Sequence, residues 1–88
     1  MAEIIPYDFT RQAERMFAKL SKNTQQQIIE KLEHYLAAPK PLDFARKIAG
    51  DSSPSYRFYI GDYRVIFDWE TNRILITKVG HRKDVYRP

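Results

Sequence analysis

Cysteine is absent from the 88-residue chain, which excludes a disulfide framework and a thiolate metal site alike. Histidine is scarce: His34 and His81 are too few and too far apart in sequence for a zinc site, so neither a structural metal nor a cofactor is expected. No apolar run approaches the ~20 residues of a membrane span. The opening Met1-Ala2-Glu3-Ile4-Ile5-Pro6 has neither the basic flank nor the long apolar stretch of a secretory leader. The expectation is therefore a cytoplasmic protein with no membrane partner. Low-complexity tracts and repeats are also missing, which points to one domain over residues 1–88. What remains is 43% hydrophobic and 30% charged residues, the balance of a soluble globular domain. Fifteen Lys and Arg against eleven Asp and Glu give a formal charge of +4. That charge favours a polyanion or an acidic protein as partner without choosing between them, so its placement must decide.

The placement is legible between Tyr56 and Tyr86. Ser55 to Ile60 and Tyr63 to Trp69 are rich in aromatic and β-branched residues and read as strands, and Gly61-Asp62 is a turn that closes a tight hairpin. A two-residue loop sets Tyr59 opposite Arg64, Phe58 opposite Val65, Arg57 opposite Ile66 and Tyr56 opposite Phe67, and opposed residues share a face. One face then carries Tyr56, Phe58, Ile60, Tyr63, Val65, Phe67 and Trp69, all uncharged. The other carries Arg57, Tyr59, Arg64, Ile66 and Asp68. The first is core and the second a candidate site.

The apolar face needs a cover. Ile4, Ile5 and Tyr7 suggest a short first strand, after which Asp8 is placed to cap a helix with Phe9, Ala13, Met16, Phe17 and Leu20 at helical spacing. Ser21-Lys22-Asn23 connects it to a second helix; Asn23 with Gln26 resembles a capping box, and Ile28, Ile29, Leu32, Tyr35 and Leu36 form the apolar stripe until Pro39. The short connection predicts an antiparallel helical hairpin packed on a mainly antiparallel sheet, an α+β fold. Residues 39–54 read as a loop with a helical turn at Asp43 to Ile48, where Arg46 and Lys47 add positive charge. A further strand, Arg73 to Val79, follows the turn Glu70-Thr71-Asn72. Its inward set is either Ile74 and Ile76 or Leu75 and Val79, because a one-residue slip inverts a strand; the first set is preferred. Gly80 is expected to break this strand.

The order strand, helix, helix, three strands, with Gly61-Asp62-Tyr63-Arg64 followed by Gly80-His81-Arg82-Lys83-Asp84-Val85-Tyr86, resembles the RelE/ParE superfamily of bacterial and archaeal toxins over almost the whole chain, and its RelE branch most. The resemblance implies a fold of the microbial ribonuclease type, an endoribonuclease that cuts messenger RNA in the ribosomal decoding site, and a cognate antitoxin that neutralises it in a hetero-oligomer. By position, Arg57 and Arg64 match cationic sites on the family's sheet, Arg82 its arginine beyond the last core strand, and Tyr86 its carboxy-terminal aromatic. His81 stands where members carry lysine or histidine. Tyr59 departs from the pattern, standing where the best-known member has a second catalytic lysine. The alternative within the superfamily is a ParE-like toxin that poisons DNA gyrase without cutting nucleic acid.

Metal-free RNA cleavage uses the neighbouring 2′-hydroxyl as nucleophile and needs a base, an acid and cations around the crowded phosphate. Arg64 and Arg82 suit the phosphate oxygens. His81 is the preferred proton carrier, since imidazole is suited to that work near neutral pH. Tyr86 and Tyr59 would stack on a base or orient the phosphate, and Arg57, Lys78, Lys83, Arg46 and Lys47 would hold neighbouring phosphates. Each has a plainer reading. Surface arginines are usually solvated or paired, and Asp62, Asp68 and Asp84 are available; Tyr59 reads best as a packing partner of Arg64, and Tyr86 would otherwise pin the terminus. His34 on the second helix is assigned no role.

Overall fold

The structure is a computed structural model that describes residues 3–48 and 54–86. Residues 49–53 of the stretch read as a loop, and Arg87 of the expected ending, lie outside the described residues. Strand β1 (Tyr7–Phe9) leads to helices α1 (Arg11–Ala18) and α2 (Lys22–Leu36). A short 3₁₀ turn (Pro41–Phe44) then precedes strands β2 (Ala45–Lys47), β3 (Ser55–Ile60), β4 (Tyr63–Glu70) and β5 (Arg73–His81). The five strands form one sheet in the order β1-β5-β4-β3-β2, with β1 parallel to β5 and every other pair antiparallel. Among the described residues no helix is long and apolar enough to cross a membrane.

The hairpin register follows the turn. Gly61, at φ +57°, takes the first loop position, where glycine carries the left-handed backbone without steric cost. Tyr59 pairs with Arg64, Phe58 with Val65, Arg57 with Ile66 and Tyr56 with Phe67, as the loop length dictates. Phe58, Val65 and Phe67 are fully buried and join Ala13, Ile28, Leu32, Leu36, Ile74, Ile76 and Val79 in one core beneath the helices. Each large side chain in such a core stabilises the fold by ~1.5–3 kcal/mol, so the alternation of the strands outweighs any cap or turn in fixing the layers.

Several local expectations are corrected. Thr10, not Asp8, caps α1, its Oγ1 accepting from the Ala13 amide at 3.1 Å; Asp8 is held in β1 opposite Leu75 and pairs with Arg73. Ser21, not Asn23, caps α2, accepting from the Thr24 amide at 3.2 Å. The first strand begins after Pro6 and not at Ile4, because proline has no amide to give a ladder; its carbonyl still accepts from the Ile74 amide at 3.0 Å. The helical turn expected at Asp43 to Ile48 lies earlier, and Ala45–Lys47 extends instead to pair with β3. Gly80 does not break β5, which runs on to His81.

A bulge explains the last point. Ile66 pairs with Lys78 but Phe67 pairs with Ile76, leaving Thr77 as an extra residue in β5. The shift lets Ile74 and Ile76 face the helices before the bulge and Val79 after it, so two inward sets posed as alternatives in the sequence both contribute. It also turns His81 to the side of Tyr63.

Candidate functional site

The helices cover one face of the sheet and leave the other open. On that open face β3 contributes Arg57 and Tyr59, β4 contributes Arg64, and β2 contributes Arg46, set opposite Arg57. The exposed ring of Tyr59 is the hub: the Arg64 guanidinium carbon lies 4.2 Å from its centroid, and those of Arg46 and Arg57 lie 5.9 Å away. Arg64 is further fixed because its Nη1 donates to the Gly61 and Tyr63 carbonyls at 2.7 and 2.8 Å. The turn that sets the hairpin register thus also aims this guanidinium.

Tyr86 reaches the same group from the end of the described chain. Arg57 Nη1 donates to its hydroxyl at 2.6 Å, and the Arg57 guanidinium carbon lies 5.2 Å from its ring centroid. Arg57 is therefore held between two aromatic rings, and its buried Nε has no hydrogen-bond partner among the described residues. Val85, the neighbour of Tyr86, is fully buried yet outside the helix-side core, so the tail is anchored as it returns to the sheet.

Two of the three carboxylates that would make these arginines an ordinary surface network, Asp68 and Asp62, are engaged elsewhere, and the third, Asp84, lines the cleft beside α1. Asp68 accepts from the Ser55 hydroxyl at 2.6 Å, and Asp62 faces Arg82 at 3.8 Å. Among the described residues the ion pairs are Arg73 with Asp8 and Glu70, and Arg82 with Asp62; Arg46, Arg57 and Arg64 have none. Three guanidinium groups crowded on one ring repel one another, and a polyanion laid across them relieves that repulsion while gaining planar, forked donors.

Arg46, Arg57, Tyr59, Arg64 and Tyr86 are thus brought together; Lys78 pairs with Ile66 on the same face by register, and it also lines the cleft beside α1. Arg82 sits at the end of the sheet, its amide donating to the Asp62 carbonyl at 2.7 Å and its guanidinium exposed. Lys47, paired with Tyr56, falls on the face opposite Arg46. Lys83 is exposed, and no contact joins its ammonium to the cluster. His81 does not reach the open face: its ring lies edge-on to Tyr63 with centroids 5.5 Å apart, and it lines a cleft of about 390 Å³ with Gln12, Met16, Lys19 and Leu20.

One strand escaped the sequence reading, and one acid was foreseen there only as a turn residue and an ion-pair partner. Strand β2 holds Arg46 against the ring of Tyr59, but three residues with a single apolar member carry too short an alternation to announce a strand. Asp62 positions Arg82 through its carbonyl as well as its carboxylate, and a main-chain contact of that kind leaves no trace in residue type. Among the described residues no three His, Asp or Glu side chains gather as a metal site would require.

Residues 7–86 match the sequence model of a family described as "ParE toxin of type II toxin-antitoxin system, parDE". In fold, the chain is similar to a subunit of the toxin-antitoxin complex RelBE2 from Mycobacterium tuberculosis, with 22% identity, coverage of 92% of this chain and 94% of that one, and a TM-score of 0.77. The intact E. coli RelBE toxin-antitoxin complex matches at 21% identity over 88% and 95% of the two chains, with a TM-score of 0.70. The archaeal RelE-RelB complex from Pyrococcus horikoshii matches at 25% identity over 93% and 99%, with a TM-score of 0.69. No curated protein sequence matches the chain.

Proposed function

The chain belongs to the ParE toxin family of type II toxin-antitoxin systems, within the RelE/ParE superfamily, and from that premise we propose that it is a ribosome-dependent endoribonuclease that cuts messenger RNA in the decoding site and so stops translation. The observation that carries this reading is the Tyr86 hydroxyl, held by Arg57 at 2.6 Å beside a cluster of arginines that have no ion-pair partner among the described residues.

In the proposed reaction a ribose 2′-oxygen forms a bond to the adjacent phosphorus as the bond from phosphorus to the 5′-oxygen breaks. The 2′-hydroxyl gives its proton to solvent water, and the departing 5′-oxygen gains one from the Tyr86 hydroxyl. Arg64 and Arg57 bind the non-bridging oxygens, whose charge grows in the transition state. Tyr86 presents an exchangeable proton to the reacting phosphate, and Arg57 stabilises charge that develops on its oxygen as the proton moves. Arg82 holds the strand at the end of the sheet, and Arg46 and Lys78 hold flanking phosphates. Tyr59 fixes the guanidinium cluster and offers an exposed ring to an unpaired base.

The partner proposed alongside the ribosome and message is a cognate antitoxin, as in the RelBE2, RelBE and RelE-RelB complexes that the fold resembles. An acidic, partly disordered chain folding onto a basic domain would wrap it and bury the cationic face. A toxin that acts on ribosomes would work in the cytoplasm.

A second reading is favoured by the family description itself: a ParE-like toxin that poisons DNA gyrase, for which the arginines bind without chemistry. One experiment separates the two. Purified protein is added to translating ribosomes carrying a defined message, and in parallel to gyrase supercoiling relaxed plasmid. Cleavage of the message with supercoiling intact is the expected result; blocked supercoiling with an uncut message would reverse the choice.

A further inference from the structure

His81 is the imidazole nearest the site in sequence, yet it faces α1 from the helix-covered side of the sheet. The question is what an imidazole does there. The tail that carries Tyr86 begins at Arg82, and its first four amides are all satisfied. Arg82 donates to the Asp62 carbonyl at 2.7 Å. Asp84 and Val85 both donate to the His81 carbonyl, at 2.8 and 2.9 Å. The Lys83 amide donates to the imidazole itself, at 3.1 Å from Nδ1. Nδ1 is then the acceptor, and the neutral ring carries its proton on Nε2. A side-chain acceptor closing on the amide two residues ahead is the geometry of an Asx turn, with Nδ1 in the place of an asparagine or aspartate Oδ1.

We infer that His81 is a positioning residue and not the proton carrier of the site: its carbonyl and Nδ1 together fold residues 82–85 into the turn that delivers Tyr86 to Arg57 across the sheet. Three of the four amides at the root of the tail end on His81, and Asp62 takes the fourth. Edge-on packing against Tyr63 fixes the ring plane, and the bulge at Thr77 puts the ring on that side. With the turn closed, Val85 is buried and the Tyr86 hydroxyl meets Arg57 Nη1 at 2.6 Å. Without the Nδ1 acceptor the Lys83 amide must find water, and the tail leaves the sheet more readily.

Tyr86 matters for chemistry only under the nuclease reading above, but the turn exists or fails independently of it. The test compares His81→Asn, whose Oδ1 stands where Nδ1 stands, with His81→Gln, whose acceptor lies one bond too far, and with His81→Ala. Amide exchange at Lys83 and the ring resonances of Tyr86 are followed by NMR on the folded protein. The Asn variant should keep Lys83 protection and the Tyr86 shifts of the wild type, while Gln and Ala should lose protection about tenfold or more, the scale of one lost hydrogen bond. Equal protection in all three would overturn the inference, as would loss in Asn equal to that in Gln. Message cutting on ribosomes supplies the second arm. There Asn should cut within a few-fold of wild type and Gln should fall with Tyr86→Phe; an inactive Asn variant with Tyr86 still in place would return His81 to proton transfer. If wild type itself cuts nothing, the nuclease reading fails while the NMR arm still decides the turn.

Discussion

Arg57 and Tyr86, 29 residues apart in the chain, meet on the open face of the sheet, where the guanidinium Nη1 donates to the phenol oxygen at 2.6 Å. The contact ties the second face of the β3–β4 hairpin to the end of the described chain. It turns a cationic surface into one with an orientable hydroxyl.

Removing that oxygen while keeping the ring tests its part in the chemistry. Tyr86→Phe should lower message cutting on ribosomes by about tenfold to a hundredfold, the worth of a hydrogen bond to a charged group. The ring is half exposed, so thermal stability should hold within ~1 kcal/mol of wild type. A Phe variant that cuts at the wild-type rate would remove Tyr86 from the reaction.

Arg82→Ala should relieve growth arrest and leave the fold intact. Its guanidinium faces Asp62 at 3.8 Å with both side chains largely exposed, a pair worth ~0–1 kcal/mol. The amide bond to the Asp62 carbonyl is retained by alanine. Toxicity in cells expressing the alanine protein, paired with a normal unfolding curve, would contradict the assignment.

Tyr59 should act through its ring. Tyr59→Phe should bind short single-stranded RNA as the wild type does. Tyr59→Ala, which leaves Arg46, Arg57 and Arg64 without their common support, should bind about two- to thirtyfold more weakly, the loss of ~0.5–2 kcal/mol of cation–π organisation. Titrations at two salt concentrations separate this from charge loss, because the salt slope should change in Arg46→Ala and not in Tyr59→Ala. The opposite pattern of slopes would refute it.

A pH-dependent contribution to stability is expected far from the site. Tyr7 donates to Glu33 Oε2 at 2.7 Å, joining β1 to α2. Burial first, then the hydrogen bond and charge of Glu33, push its phenol from 10.0 up to about 12. Between pH 10 and 12 the unfolded phenol loses its proton while the folded one keeps it, so this contribution is complete below pH 10 and is lost as pH rises towards 12. Because Tyr7 is only partly buried, the loss should stay below ~1 kcal/mol after solvent screening. Urea unfolding of wild type and Tyr7→Phe at pH 9 and pH 11 should show the gap between them narrowing at the higher pH. A gap that widens would reverse the sign.

Much of the fold can be read from particular residues. Gly61-Asp62 fixes the hairpin register because only one alignment closes a two-residue loop, and that alignment separates Phe58, Val65 and Phe67 from Arg57, Tyr59 and Arg64. The stripe of α2 is legible because Ile28, Leu32 and Leu36 repeat over several turns, whereas α1 is shorter than the pattern read for it, with Phe9 in β1 and Leu20 beyond its end. The caps were missed because each helix start offers several good capping residues within a few positions, and the choice among them depends on where β1 ends and how the short connection bends. Strand β2 was missed because edge pairing with β3, and not its own pattern, makes it a strand.

Residue types and spacing alone settled which side of the hairpin is buried, since alternation over six and eight residues has one low-energy answer once apolar surface must leave water. They also settled that cationic and aromatic side chains share the remaining side. Tertiary structure decided who reaches them. A single extra residue at Thr77 sends His81 towards α1, and a few amide contacts at the root of the tail carry Tyr86 to Arg57. Such contacts join main-chain groups and distant segments, which every residue possesses and no local pattern encodes.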